Sequence, residues 1–334
     1  MADPRFLLIR LGSLGDIIHA LPAASALRDA FPSSRIDWAV EPKWARLLEG
    51  NPDISDVIAA DRKNARGIAG TIRTIRSANY TCAVDFQALY KSALLGYASG
   101  AAQRVGFQSS YAREGLAVVF YTDRLNPRGP HKVDHNLTLV EHVGAIKSIP
   151  RFPLTIHPEE EECIKGELDA HKLNDYFVLN PGGGWQSKCW PAERYGVLHR
   201  KLAERLGWRG VVSVGPGEKH LAERVIQASG DLPPVVISVG IGPLMPLLRD
   251  AKFVVSADTG PLHLASALGA RVIGLYGPTD PSRNGPYSSQ DITVRNPREC
   301  ETTYRRGKDY ASSMLSITVD QVFDAALRRL ERGS

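Results

Sequence analysis

Four stretches of this chain place reactive residue types just after apolar runs: "RLGSLGD" (10–16), "NPGGGWQSKCWP" (180–191), "VGPGE" (214–218) and "SADTGPLH" (256–263). In "NPGGGWQSKCWP" the consecutive glycines, Gly183 and Gly184 among them, let backbone amides approach a ligand closely. Lys188 adds a point positive charge, and a helix expected to begin near Pro191 turns the positive end of its dipole toward the loop. Amides, a lysine and a helix start suit a diphosphate. The spacing is not that of a P-loop. A plain surface turn with a solvated lysine is the other reading, but it has no use for a run of glycines. In "SADTGPLH" the Thr259 hydroxyl, the amides of Gly260 and Leu262, and His263 can all donate to phosphate at a helix beginning near Pro261. Asp258 or Thr259 can equally serve there as the N-cap. Glu218 ends a strand and glycine loop, where an acid can take ribose hydroxyls or simply mark a strand end.

"RLGSLGD" also has the outline of a phosphate loop, yet Asp16 would set a negative charge against a phosphate. Two readings fit better. Asp16 is a helix N-cap, or it is an unpaired carboxylate that takes a proton from a hydroxyl nucleophile. A helix start would keep its pKa low, and desolvation by a bound acceptor would push it up. Gly12 and Gly15 would then let an acceptor sugar approach the carboxylate. Dinucleotide, nucleophile-elbow and Asp-x-Asp motifs are missing, and His131 and His135 lack the glutamate of a zinc motif and read as surface histidines.

Positioning these loops requires alternating strands and helices. "RFLLIRL", "RIDWAV" and "TCAVDF" read as buried strands, with "DIIHALPAASALRDAF" and "QALYKSALLGYAS" as helices. The alternation breaks at "KSIPRFPLTIHPEEEECIKGEL" and resumes with "YFVLNPGGG", "PAERYGVLHRKLAERLG", "GVVSVGPGE" and "AKFVVSADTGPLHLASALGARVIGLYGPTDP". The chain therefore reads as α/β, with two doubly wound Rossmann-like domains (1–150 and 151–334) facing across a cleft. The last helix, "TVDQVFDAALRRLER" with Thr318 as N-cap, could pack back on the first domain.

Bulk properties narrow the partners. In 334 residues, 41 Lys and Arg stand against 36 Asp and Glu, a net charge of +5 that is too mild to argue for nucleic acid. Most of the excess lies before residue 150. From Arg62 to Arg76 the chain carries Arg62, Lys63, Arg66, Arg73 and Arg76 and no acid, either a solvated helix face or a site for an anion. Four scattered cysteines suggest reduced thiols, without a disulfide framework or zinc site. The N-terminus shows no signal peptide and the chain no apolar membrane span, so membrane contact would be peripheral.

"LLIRLGSLGDIIHALPAASALR", "SKCWPAERY" and "VVSADTGPLHLASALGARVIGLYGPTDP" resemble the lipopolysaccharide heptosyltransferases, glycosyltransferases of family 9 with the GT-B fold, over nearly the whole chain. "IDWAVEP" and "AVDFQALYKSALLG" are most similar to heptosyltransferase I. The resemblance implies an inverting, metal-independent and cofactor-free transfer of heptose from ADP-L-glycero-β-D-manno-heptose to the Kdo of lipid A. It also implies a cytoplasmic enzyme, peripheral on the cytoplasmic face of the inner membrane. Asp16 would be the base. Lys188 would meet the donor phosphates and Glu218 the ribose, while Asp258, Thr259, Gly260, Pro261, Leu262 and His263 would form the donor loop. Arg62, Lys63 and Arg66 resemble the acceptor-phosphate patch, with Arg104 and Arg113 as further candidates. The loop "NPGGGWQS" departs from heptosyltransferase I and is closer to heptosyltransferase II. Heptosyltransferase II, another GT-B transferase, and a non-catalytic nucleotide-binding protein on this scaffold are the alternatives.

Overall fold

The computed structural model describes residues 3–146, 149–297, 302–303 and 307–332, and the chain divides into two compact units, Met1–Thr155 and Ile156–Ser334. The proline-rich segment after residue 148 stays with the first unit because its polar groups are bonded there. The Arg151 guanidinium clasps both Asp29 oxygens at 2.7 and 2.8 Å. Asn51 Nδ2 donates to the Pro153 carbonyl at 2.8 Å, and Thr155 Oγ1 donates to that of Gly50 at 2.7 Å.

The first unit is built on a parallel sheet of β1 (Arg5–Ile9), β2 (Arg35–Val40), β3 (Asp56–Ala59), β4 (Cys82–Asp85), β5 (Gln103–Phe107) and β6 (Asp123–Leu125), in the order β3-β2-β1-β4-β5-β6. Leu8 pairs with Trp38 on one side and Val84 on the other. Helices cover both faces, so Leu7, Leu8 and Ile9 are fully buried, each contributing about 1.5–3 kcal/mol. The second unit repeats this winding. Its strands are β7 (Tyr176–Asn180), β8 (Arg209–Ser213), β9 (Val235–Ile237), β10 (Val254–Ala257), β11 (Val272–Leu275) and β12 (Ile292–Val294), in the order β12-β11-β10-β7-β8-β9. In each sheet the strand order reverses beside the first strand, between β1 and β4 and between β7 and β10. Loops leaving the carboxyl ends there diverge and leave room for a ligand.

The stretch "DIIHALPAASALRDAF" is two helices, Leu14–Ile18 and Leu21–Ala30, rather than one. Pro22 sits in the first turn of the second, where its missing N–H costs nothing. Helix Ala192–Leu206 begins after Pro191 and ends at Gly207, whose φ of 72° needs a glycine. The last helix, Val319–Glu331, is closed by a reciprocal cap between Thr318 and Gln321. It packs on helix Ala192–Leu206, β11 and β12 of its own unit. No helix among the described residues is long and apolar enough to cross a membrane. Cys82, Cys163 and Cys189 are free thiols, and Cys300 lies outside the described residues.

Candidate active site

In the first unit, β1 runs into a short turn and the helix Leu14–Ile18. Asp16 is the third residue of that helix, not its N-cap; Ser13 holds the cap position. The Ser13 hydroxyl donates to Asp16 Oδ2 at 2.9 Å. Nor is Asp16 the unpaired carboxylate that its sequence position suggested. Arg10 Nη2 lies 2.6 Å from Oδ2 and Lys132 Nζ lies 2.6 Å from Oδ1. Burial pushes the Asp16 carboxyl up, but Arg10 and Lys132 outweigh it and hold the group well below the usual carboxylate range. Asp16 is therefore ionised at neutral pH, with 15 % of its side chain still open to solvent.

The two cations differ. Arg10 is buried and anchored a second time, Nη1 donating to the Phe86 carbonyl at 2.5 Å. Lys132 begins helix Lys132–His142, and 32 % of its flexible side chain is exposed. Sequence reasoning found neither. Arg10 stands in the quoted motif and was readable there; Lys132 is 116 residues from Asp16 and only the fold brings it close. Its helix is capped by His131, whose Nδ1 accepts from the Val133 amide, so His131 is a buried cap rather than a surface residue.

A Cβ at Gly12 would stand 3.2 Å from the Trp44 indole nitrogen, and Gly15 is buried inside the short helix. Among the basic candidates, Arg62 pairs with Glu41. Lys63, Arg66 and Arg113 are exposed and form no ion pair among the described residues. Arg104 does not belong with them. Its guanidinium donates to the carbonyls of Ala101 and Phe120 at 2.7 and 2.8 Å. Those residues precede β5 and β6, so the charge points to the end of the sheet opposite Asp16. Lys91, missed in the sequence, lies within electrostatic reach of Arg62 and Arg113; burial, then Arg62, lowers its pKa.

In the second unit three loops converge. A Cβ on Gly182 would overlap the Glu218 carboxylate, and one on Gly183 would stand 2.6 Å from Cys189 Sγ and 3.4 Å from Thr259 Cγ2. These two glycines let the β7, β8 and β10 loops close together, while Gly184 faces open space. Glu218 Oε2 accepts from the Gly215 amide at 2.8 Å. Lys188 Nζ sits 4.5 Å from the centre of the Trp185 ring and 2.5 Å from Asp258 Oδ2. Asp258 is buried, yet its carboxyl lies far below the ordinary range. The desolvation cost is outweighed by His263 and Lys188. Its Oδ1 accepts from Asn284 Nδ2 at 2.7 Å and from His263 Nε2 at 3.1 Å. His263 thus holds Asp258 through Nε2, a contact that the sequence did not show. Asn284, 26 residues beyond, was not legible as part of the site.

Helix Gly260–Ala267 starts at Thr259, as the motif implies, with Pro261 in its first turn. The Thr259 hydroxyl pairs with Ser256 Oγ at 3.0 Å and does not cap the helix. The amides of Gly260 and Leu262 have no acceptor within the helix and can serve an anion. Among the described residues no group of His, Cys, Asp and Glu could hold a metal ion. The second unit therefore offers a lysine, a helix start and a glycine loop, the donor set for a diphosphate, while the first offers an ionised carboxylate.

Comparison with known proteins agrees with this geometry. The family model described as "Glycosyltransferase family 9 (heptosyltransferase)" matches residues 68–313. The lipopolysaccharide heptosyltransferase 1 of Pseudomonas aeruginosa is 28% identical over 324 residues, 92% of this chain and 88% of that protein. Its Escherichia coli K12 counterpart is 29% identical over 312 residues, 88% of this chain and 94% of that one. The structure of E. coli heptosyltransferase WaaC with ADP superposes with a TM-score of 0.74 at 24% identity, covering 98% of each chain. A carboxylate after the first strand, a lysine, a glycine loop and a helix start at the second sheet, and a family match over most of the chain converge: this protein belongs to glycosyltransferase family 9, the heptosyltransferases.

Proposed function

We propose that this chain moves heptose from ADP-L-glycero-β-D-manno-heptose to the Kdo of lipid A, as heptosyltransferase I does, without a metal ion. The observation that carries the reading is the pairing of roles: an ionised Asp16 in one unit, and in the other Lys188 fixed beside Gly183, Gly184 and the free amides of Gly260 and Leu262. The names of the curated relatives, and the ADP carried by the E. coli heptosyltransferase structure, support the donor.

Asp16 accepts the proton of an acceptor hydroxyl as that oxygen attacks the anomeric carbon. The bond from that carbon to the diphosphate breaks, and ADP leaves with the electron pair. A single displacement inverts the centre and needs one base. A carboxylate with so low a pKa is a weak base, so proton transfer runs late, as the new C–O bond acidifies the hydroxyl. Lys188 and the first-turn amides meet the charge that grows on the diphosphate, the electrostatic role a divalent cation fills elsewhere. To take up phosphate, Lys188 swings or shares its ammonium away from Asp258, while Asn284 and His263 keep that carboxylate satisfied. Glu218 takes the ribose hydroxyls. Arg62, Lys63 and Arg66 meet acceptor phosphates.

Incubation with ADP-heptose and Kdo₂-lipid A, with the product read by mass spectrometry, tests this. One added heptose is expected; no product with ADP bound would refute the acceptor, and no ADP binding would refute the donor. The run of glycines at 182–184 favours a second reading, heptosyltransferase II, in which a lipid A already carrying one heptose is the better acceptor.

A further inference from the structure

Strands β1 and β4 pair in register as far as Ile9 and Asp85 and then part. The last ladder bond runs from the Phe86 amide to the Ile9 carbonyl at 3.1 Å. In a parallel ladder the Leu11 amide would next donate to the Phe86 carbonyl. Here Arg10 Nη1 takes that carbonyl, and the Leu11 amide donates to Gln87 Oε1 at 2.8 Å. A side chain replaces a ladder bond at the point where the strand order reverses and a ligand has room.

Gln87 is fixed at both ends. Its backbone amide donates to Asp85 Oδ1 at 2.8 Å, and Asp85 Oδ2 accepts from the Tyr121 hydroxyl at 2.7 Å. Only the carboxamide oxygen can accept from the Leu11 amide, so the group has one orientation and Nε2 is left on the other side. The residue is 6% exposed, and Nε2 has no acceptor among the described residues yet is not sealed from solvent. Asp16 is close by. The guanidinium that holds the Phe86 carbonyl through Nη1 holds Asp16 Oδ2 through Nη2 at 2.6 Å. One planar group therefore separates the backbone beside Gln87 from the carboxylate.

A held carboxamide with two unpaired N–H groups is built to meet an acceptor atom. Being neutral, it suits the oxygens of a sugar. We propose that Gln87 Nε2 donates to an oxygen of the acceptor sugar beside the hydroxyl that Asp16 deprotonates, and so selects which hydroxyl meets the base. The inference rests on the acceptor role given above to the Asp16 loop, but binding is read without transfer, so either can fail alone.

Gln87→Glu keeps an oxygen for Leu11 and removes both donors, so ADP affinity and thermal midpoint should be unchanged. Its KM for Kdo₂-lipid A should rise at least about tenfold, since a bond is lost and an acceptor then faces an acceptor, while kcat changes by less than about threefold. The direct check is the Gln87 side-chain amide signal in NMR of the isotope-labelled, ADP-loaded wild-type chain, which needs no variant. Kdo₂-lipid A, or its singly heptosylated form, should shift that signal. An amide signal that both leave in place, or a variant KM within about twofold of wild type, overturns the proposal. A signal that shifts in a chain that transfers nothing refutes the transferase reading and keeps Gln87 as a sugar ligand.

Discussion

Replacing Lys132 by methionine isolates what tunes Asp16. The side chain keeps much of its length and loses its charge, and Arg10 stays anchored to Phe86. At 2.6 Å and an effective dielectric of about 20, the Lys132–Asp16 attraction is about 6 kcal/mol. A third of the Lys132 side chain is in water, so hydration offsets most of that, leaving about 1–2 kcal/mol, or about one pKa unit. The sign follows from the direction of the shift. Asp16 is depressed, so wild-type transfer persists to low pH and is lost only as pH falls through the folded-state value. In Lys132→Met that value rises toward the ordinary carboxylate range, and the acid limb of kcat/KM should move to higher pH by about one unit. Asp16 stays ionised at neutral pH in both proteins. The neutral-pH rate should therefore change by less than about tenfold, the stronger base offsetting looser positioning. The assay is kcat/KM across the acid range, with an NMR titration of the Asp16 carboxyl carbon as a direct check. An acid limb that does not move, with a large loss at neutral pH, would refute the tuning role and assign Lys132 to substrate.

Asp16→Asn should lower transfer by about 10²–10⁴-fold and leave ADP affinity intact in a calorimetric titration, because the donor loops belong to the other unit. Lys188→Ala should weaken ADP binding by about 1.5–3 kcal/mol and leave Asp258 buried with one cation fewer, so the thermal midpoint should fall as well. Gly182→Ala forces a methyl into the Glu218 carboxylate; a loss of about 1–3 kcal/mol in stability, read by urea denaturation, is expected, with weaker ADP binding.

The central strands were legible because they are buried on both faces and read as unbroken apolar runs, β1 and β7 most plainly. The edge strands were not. Only the middle of β3 and the ends of β12 are covered, and each is three or four residues long, so their composition carries little signal. The loops after β1, β7 and β10 were legible as candidates, since glycines, a lysine and acids crowd at strand ends there. What those residues touch was not. Lys132 and Asn284 reach Asp16 and Asp258 through tertiary contacts, and no local spacing encodes that. The same limit misplaced Arg104, because an arginine early in a strand reads the same whichever end of the sheet its side chain turns to.

The two units use one device for opposite ends. Each holds a depressed aspartate against a lysine at a strand's carboxyl end, Asp16 with Lys132 and Asp258 with Lys188. Asp258 is closed in by Asn284 and His263, its side chain only 2 % exposed, and its Oδ2 lies 2.5 Å from Lys188 Nζ. Asp16 keeps an open edge, and its Lys132 partner hangs on an exposed stem that can leave. A lysine that departs from a buried carboxylate leaves it satisfied by its remaining donors. A lysine that departs from an open carboxylate frees an oxygen and raises its basicity just where a hydroxyl can reach it. The same residue pair therefore sits in two settings, and the difference is how far the carboxylate is closed in, 2 % exposed at Asp258 and 15 % at Asp16.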